Sequence, residues 1–377
     1  MTSLRILKRR INWVKTGYPK RNIKNLLSLL IFLPKIVLGD SHQLQLHTWQ
    51  APFDYTSPVL DYLHTPIDNS RPWHLCALYP HLKDPYWLGV NYGMVSEAQR
   101  LGIKLTILEA GGYPQIQNQL DQIQQCVDQK ANAIIVGTVS FDALESTLSQ
   151  VAIHTPIIAA VNDISSPGIS AKVGVSWYTM GHKVGRYIAA EHPKGSPPVN
   201  IAWFPGPQGA GWVRFIDAGF RDALVSSSAN IVSVKWGDTG KEIQRNLLQE
   251  VLQDTTELDY IVGTALTADA AVGELLNKNL RGKIQIISTY MTQNVLRGIK
   301  RGHILAAPND APVLQGQLAV EQAIRVLEKN LTRKHIGPSI ELVDASNIAN
   351  FNQTSVLPPP IFWPTFTVPA RAPIMTN

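Results

Sequence analysis

Cysteine is scarce, with only Cys76 and Cys126 in 377 residues. Neither belongs to a Cys-x-x-Cys pair, so thioredoxin-like redox catalysis and a cysteine-built zinc centre are both excluded. Beyond the first forty residues no apolar run approaches the roughly 20 residues that a membrane-crossing helix needs. Catalytic signatures are missing as well. There is no His-Glu-x-x-His, no Gly-x-Ser-x-Gly and no glycine fingerprint for a dinucleotide, and Gly237-Asp-Thr-Gly-Lys241 lacks the spacing of a phosphate loop. His74, His81, His154, His182, His192, His303 and His335 are scattered without ligand spacing. They are expected on the surface or as caps. No catalytic residue, metal site or cofactor is expected.

Acidic residues are absent from positions 1–39, which hold nine Lys or Arg. The remainder carries 25 basic and 28 acidic residues, so the net charge of +6 belongs to the N-terminus alone. No basic surface is left to favour nucleic acid. A basic stretch through Lys24 followed by apolar Leu26–Leu38 reads as a secretory signal, with Val37 and Gly39 placed for cleavage before Asp40. An uncleaved anchor is the alternative; Lys35 and the shortness of the apolar run count against it. No cysteine follows that run, so lipid attachment is not expected, nor is stable membrane insertion after cleavage. In an oxidising compartment Cys76 and Cys126 either pair or remain buried thiols.

From Trp73 onwards strand and helix patterns alternate. Trp73–Tyr79 reads as a strand, Asp84 as an N-cap, Pro85 as a first helical residue and Gly102 as a helix stop. Ile116, Leu120, Ile123 and Val127 share one helical face. Strands are expected at Ile103–Glu109, Ala133–Val136, Pro156–Val161, Lys172–Val175, Val199–Phe204, Ile231–Trp236, Tyr260–Val262, Ile284–Ser288 and His303–Ala307, with a possible edge strand at Pro338–Leu342. Leu44–Trp49 and Phe53–Tyr55 suggest a short hairpin or strap, and Leu60–Leu63 a weak helix. The pattern is α/β, with parallel sheets flanked by helices. A single barrel would accommodate it, but breaks at Pro167 and Pro308 favour two sheets joined by several crossings. The expected organisation is a signal peptide at 1–39, an N-terminal extension at 40–71, lobe one at 72–162 and 290–345, lobe two at 163–289, and a proline-rich tail at 346–377.

The strand ends carry aromatic residues. Tyr79, Tyr86 and Trp87 lie on the first loop, Tyr113 after the second strand, Trp177 after a crossing strand and Tyr290 after Ile284–Ser288. Open α/β sheets bind ligands at such ends. Converging rings suit a methylated, cationic or strongly dipolar amine, with Asp84 as the polar partner. Each ring taken singly reads equally well as core or hinge packing. Asp310, beside Asn309 and Gln315, either caps the following helix or meets ligand.

Leu75–Pro80 (LCALYP), Leu82–Trp87 (LKDPYW), Leu108–Tyr113 (LEAGGY), Val173–Trp177 (VGVSW), Pro205–Gly211 (PGPQGAG), Ile243–Glu250 (IQRNLLQE) and Leu318–Arg325 (LAVEQAIR) carry a resemblance. Over roughly 72–345 the chain resembles the type I, two-lobed periplasmic binding proteins of the ribose-binding, LacI-like class. More narrowly it is similar to their trimethylamine N-oxide-sensing branch. The resemblance implies a periplasmic protein of a Gram-negative bacterium. It would bind trimethylamine N-oxide between its lobes and pair with the periplasmic sensor domain of a membrane histidine kinase. It also implies ligand contacts from Trp87, Tyr113, Trp177 and Tyr290, with Asp84 nearby. The substrate-binding subunit of an uptake transporter for a small methylated amine or sugar is the alternative; an α/β enzyme lacks a visible nucleophile, base or metal set. A repressor is excluded, because a signal peptide stands where DNA-binding helices would be.

Overall fold

The computed structural model describes residues 44–371 apart from 51, 52, 58, 70, 255 and 256. The signal peptide expected at 1–39 and the last residues of the tail lie outside the described residues. The described chain opens with a hairpin, β1 (Leu44–Trp49) and β2 (Val59–His64), paired antiparallel. Then come β3 (His74–Tyr79), α1 (Pro85–Leu101), β4 (Lys104–Glu109), α2 (Ile116–Asp128), β5 (Ala133–Val136), α3 (Glu145–Val151), β6 (Ile157–Val161) and β7 (Ala171–Gly174). A second series runs α4 (Trp177–Glu191), β8 (Val199–Gly206), α5 (Gly211–Leu224), β9 (Ala229–Trp236), α6 (Lys241–Asp254), β10 (Tyr260–Gly263), α7 (Ala265–Asn277), β11 (Gln285–Ser288) and α8 (Gln293–Lys300). The chain returns through β12 (Ala306–Asn309), α9 (Pro312–Leu327), β13 (His335–Gly337) and β14 (Glu341–Asp344), and ends near β15 (Thr367–Val368).

Two main sheets and one short ribbon result among the described residues. The larger has the order β15-β4-β3-β5-β6-β7-β13-β1-β2; the smaller, all parallel, has β11-β10-β8-β9; β12 and β14 pair antiparallel by themselves. The strands from β4 through β13 of the large sheet run parallel, and the antiparallel partners β15 and β1 lie outside them. Each sheet reverses its strand order once, between β3 and β5 and between β8 and β10, which creates a crevice at the carboxyl ends. Fully buried β3, β5 and β6 are near-continuous apolar runs, as strands covered on both faces must be.

Local chemistry explains the elements. Asp84 caps α1 by accepting the Tyr86 N–H at 3.0 Å, Pro85 occupies the first turn, and Gly102 closes the helix with φ 68°. Helix α1 packs on α9, and α4 on α5, at glycine contacts: a Cβ on Gly93 would lie 2.0 Å from the Val313 carbonyl oxygen, and one on Gly219 2.0 Å from that of Tyr178. Cys76 of β3 and Cys126 of α2 form a disulfide with Cα atoms 5.8 Å apart, pinning that helix to the sheet.

Several expectations differ at the edges. Leu60–Leu63, read as weakly helical, lies in β2, where the ladder to β1 overrides local propensity. Phe53–Tyr55 is not the hairpin partner; Tyr55 turns back so that its ring meets His335 at 4.6 Å. The strand expected at His303–Ala307 is shifted to β12, and of Pro338–Leu342 only the last two residues are strand, at the start of β14; Pro338, which cannot donate to a ladder, follows the end of β13. The Ser165–Gly168 break is a loop before β7, which still pairs with β6, rather than a crossing. Likewise α8 packs on α7 beside the small sheet. The first sheet therefore extends past 162, and the second unit past 289. Among the described residues no helix is long and apolar enough to cross a membrane.

Candidate functional site

The carboxyl ends of both sheets face one tight cavity of about 10 Å3, room for about one water, lined by Asp84, Tyr86, Trp87, Tyr113, Asn162, Trp177, Trp212, Thr239 and Tyr290. Each side chain is delivered by a strand end. Asp84, Tyr86 and Trp87 sit where β3 feeds α1, Tyr113 follows β4, and Asn162 follows β6. Trp177 begins α4, Trp212 follows β8 in the first turn of α5, Thr239 follows β9 and Tyr290 follows β11.

The rings form a continuous wall. Tyr86 lies 5.4 Å from Tyr290 and 6.3 Å from Trp177, Trp177 lies 5.1 Å from Trp212, and Trp212 lies 6.1 Å from Tyr113 and 6.3 Å from Tyr290, centroid to centroid. Trp87 packs on Tyr79 at 5.3 Å and lies over Gly137, where a Cβ would come within 2.4 Å of the indole. Trp177 is fixed by donation of its N–H to the Val161 carbonyl at 3.0 Å. Val161 is held at φ 69°, a left-handed conformation that costs a β-branched residue of order 1–3 kcal/mol.

Two buried tyrosine–carboxylate pairs stand behind the rings. Tyr290 donates to Asp84 Oδ2 at 2.5 Å, and Tyr86 donates to Asp310 Oδ2 at 2.6 Å. Burial pushes each carboxyl up to about 6, against the opposing pull of these hydrogen bonds. Both Asp84 oxygens are already acceptors, Oδ1 from Tyr86 N and Oδ2 from Tyr290. This partnership suits the carboxylate form. Asp310 does not line the cavity and does not cap α9, whose N-cap is Ala311; it accepts from Tyr86 and, at 2.8 Å, from Gln315. It positions Tyr86.

Asn162 donates to the Tyr113 hydroxyl at 3.1 Å, leaving the Tyr113 proton free to point elsewhere. The indoles of Trp87 and Trp212 face the same hydroxyl, and the buried Trp212 N–H has no hydrogen-bond partner among the described residues. An unpaired buried donor costs about 1–3 kcal/mol, which a ligand acceptor would recover. The cavity therefore offers ring faces, a carboxylate, and N–H and O–H donors. Among the described residues no group of three or more His, Cys, Asp or Glu stands together as a metal site.

Six of the seven ligand candidates named from sequence meet at this cavity; Asp310 stands one layer behind. Trp212, Asn162 and Thr239 were missed. Trp212 directly follows the PGPQGAG motif, Asn162 is the last residue of the expected lobe-one span, and Thr239 lies in the GDTGK stretch, which lacks phosphate-loop spacing. His81, expected on the surface or as a cap, is fully buried.

Two sheets joined by crossings around an enclosed interlobe cavity define a ligand-binding protein of the periplasmic type. The chain belongs to the family of periplasmic binding proteins and sugar binding domains of the LacI family, whose model matches residues 72–334. It is 42% identical over 305 residues to the periplasmic protein TorT of Escherichia coli K12, covering 80% of this chain and 86% of that one. Among solved structures, the TorT chain in the complex of the TorS sensor domain with TorT, in the presence of TMAO, is 41% identical with a TM-score of 0.71, covering 78% of this chain and 99% of that chain. An ABC transporter solute binding protein from Bradyrhizobium sp. BTAi1 with bound bis-tris is 44% identical with a TM-score of 0.74, covering 87% and 99%.

Proposed function

We propose that this chain is a periplasmic sensor that binds trimethylamine N-oxide between its lobes and relays its presence to the sensor domain of a TorS-like membrane histidine kinase. The observation that carries the reading is the polarised cavity. Its rings Tyr86, Trp87, Trp177 and Tyr290 surround a space bordered by the Asp84 carboxylate, while Trp212 and Tyr113 present hydrogens. An amine N-oxide has the complementary form: three methyl groups on a positively polarised nitrogen, and one strongly accepting oxygen. The methyls lie against the ring faces, each worth about 2 kcal/mol when desolvated. The oxygen accepts from the Trp212 indole and the Tyr113 hydroxyl. Asp84 stays ionised and faces the cationic end, because its two oxygens already accept hydrogen bonds and a bare carboxylate repels the N-oxide oxygen. Asp310 holds Tyr86 in place.

The same reading places residues 1–39 in a cleaved leader and the mature chain in the periplasm of a Gram-negative bacterium. The protein acts by binding, without turnover. Ligand drawn into the cavity favours the closed arrangement of the lobes, and the closed surface is what the kinase distinguishes. Linkage makes this testable: if ligand changes kinase affinity, kinase changes ligand affinity by the same factor. Titrating the mature protein into the sensor domain, with and without trimethylamine N-oxide, should give two different dissociation constants. Equal constants would remove the relay.

The uptake-transporter reading has one observation in its favour, the 44% identity to a solute binding protein from Bradyrhizobium. It expects retention by a transporter membrane complex and none by the kinase domain.

A further inference from the structure

Outside the ring wall, a hydrogen-bonded cluster joins a loop of the large sheet to a loop of the small one. His81, on the loop after β3, is fully buried. Its Nδ1 accepts the Lys83 N–H at 3.2 Å, which fixes the proton on Nε2. Nε2 reaches Asp238 Oδ1 at 3.3 Å and Thr239 Oγ at 3.1 Å, on the loop after β9 of the other sheet. Both loops are braced. On the His81 side, Leu82 N donates to Glu109 at 2.8 Å, Lys83 Nζ donates to the Gly111 carbonyl at 2.8 Å, and the ring stands edge-on to Tyr113 at 5.7 Å. On the other side, Gln244 donates to the Gly237 and Asp238 carbonyls at 2.9 and 3.0 Å, and accepts from Thr267 at 2.7 Å. The approach is tight: a Cβ on Gly112 would stand 2.8 Å from Asp238 Oδ2.

We infer that His81, Asp238 and Thr239 form a clasp that locks the two lobes over the occupied cavity and sets how long ligand stays. The inference rests on the reading of the cavity as a ligand site. His81 touches Tyr113 and Thr239 lines the cavity, so the clasp closes only when both walls are in place. Each partner belongs to a loop held by its own sheet, so the hydrogen bonds cannot persist once the sheets separate. Their free energy therefore counts toward the closed state alone. Once ligand is inside, opening must break the clasp, so its main effect is on dissociation; association feels it only through the closed fraction of the ligand-free protein.

The test uses His81→Phe, which keeps a ring against Tyr113 but removes the hydrogen bonds, and Asp238→Asn. Stopped-flow tryptophan fluorescence with trimethylamine N-oxide should show dissociation faster by about 10-fold in His81→Phe, with the association rate within about two-fold of wild type. The double variant should be little worse than either single one, because both remove the same contact. A change confined to association, or rates that multiply across the two substitutions, overturns the clasp. A ligand-independent arm separates this from failure of the ligand reading. Nitroxide labels at Gln125→Cys on α2 and Asn246→Cys on α6, both exposed sites, report interlobe distance. Ligand-free wild type should populate the short distance more than His81→Phe; equal populations overturn the clasp whatever the ligand. No binding of trimethylamine N-oxide to wild type, together with a distance difference, would overturn the ligand assignment and leave the clasp standing.

Discussion

Replacing Trp212 with Phe removes one N–H and keeps a ring in the wall. Among the described residues that N–H faces the Tyr113 hydroxyl but makes no hydrogen bond of ordinary geometry, so its loss breaks none of those that hold the ligand-free protein. The indole is 3% exposed and lies within 6.3 Å of Trp177, Tyr113 and Tyr290, so the smaller ring still packs among them. If the N-oxide oxygen accepts from this donor, the variant loses one hydrogen bond to a strongly polarised acceptor, worth about 1.5–3 kcal/mol. Affinity for trimethylamine N-oxide should fall by about 10- to 150-fold. Tetramethylammonium supplies the control, because it offers methyls and charge but no oxygen. Calorimetry on both ligands separates the donor from the wall: a general collapse of the cage weakens both, whereas loss of the donor weakens the oxide selectively. A Trp212→Phe protein whose preference between the two ligands stays within two-fold of wild type would refute the placement of the oxygen.

Other perturbations address the remaining parts. Trp87→Phe narrows the largest ring face on the first loop and should weaken ligand binding by about 1 kcal/mol or more, read by the same calorimetry. Affinity should fall as pH drops through about 6, because protonated Asp84 no longer attracts the cationic end; a flat profile from pH 5 to 8 would contradict an ionised Asp84. Stability runs the opposite way for the buried carboxyls. A folded-state value near 6 against an ordinary 3.8 means that the native protein binds these protons more tightly, so this contribution declines as pH rises from about 4 to 6, by of order 3 kcal/mol for each group. Asp310→Asn should flatten that slope in denaturant melts across the same window. Removing the disulfide with Cys76→Ala and Cys126→Ala should cost up to about 4 kcal/mol of unfolding free energy, from the loop it closes over a separation of 50 residues.

Much of this architecture can be read from residue patterns, and the exceptions share a cause. Asp84, Pro85 and Gly102 mark the ends of α1 because capping is local chemistry. Tyr86, Trp87, Tyr113, Trp177 and Tyr290 stand out because the strand-to-helix transitions that carry them are equally local. What escapes is whatever depends on the second sheet meeting the first. Trp212 and Thr239 acquire meaning only opposite residues of the other sheet, and Asn162 only beside Tyr113 and Thr138, which other strands of its own sheet bring to it. His81 looks like a surface histidine until Asp238, 157 positions on, arrives beside it. The hairpin β1–β2 and the short β15 escape for a related reason. The paired backbone of the large sheet's edges holds them, against weak propensity in Leu60–Leu63 and a proline-rich tail.

The central claim is that the enclosed cavity takes an amine N-oxide. The most direct measurement is isothermal titration of the purified mature protein with trimethylamine N-oxide and, separately, with ribose at pH 7.5. The account predicts saturable one-to-one binding of the oxide, abolished or strongly weakened in a Trp87→Ala, Trp212→Ala double variant, and no heat from ribose. Saturable ribose binding with no response to the oxide would contradict it.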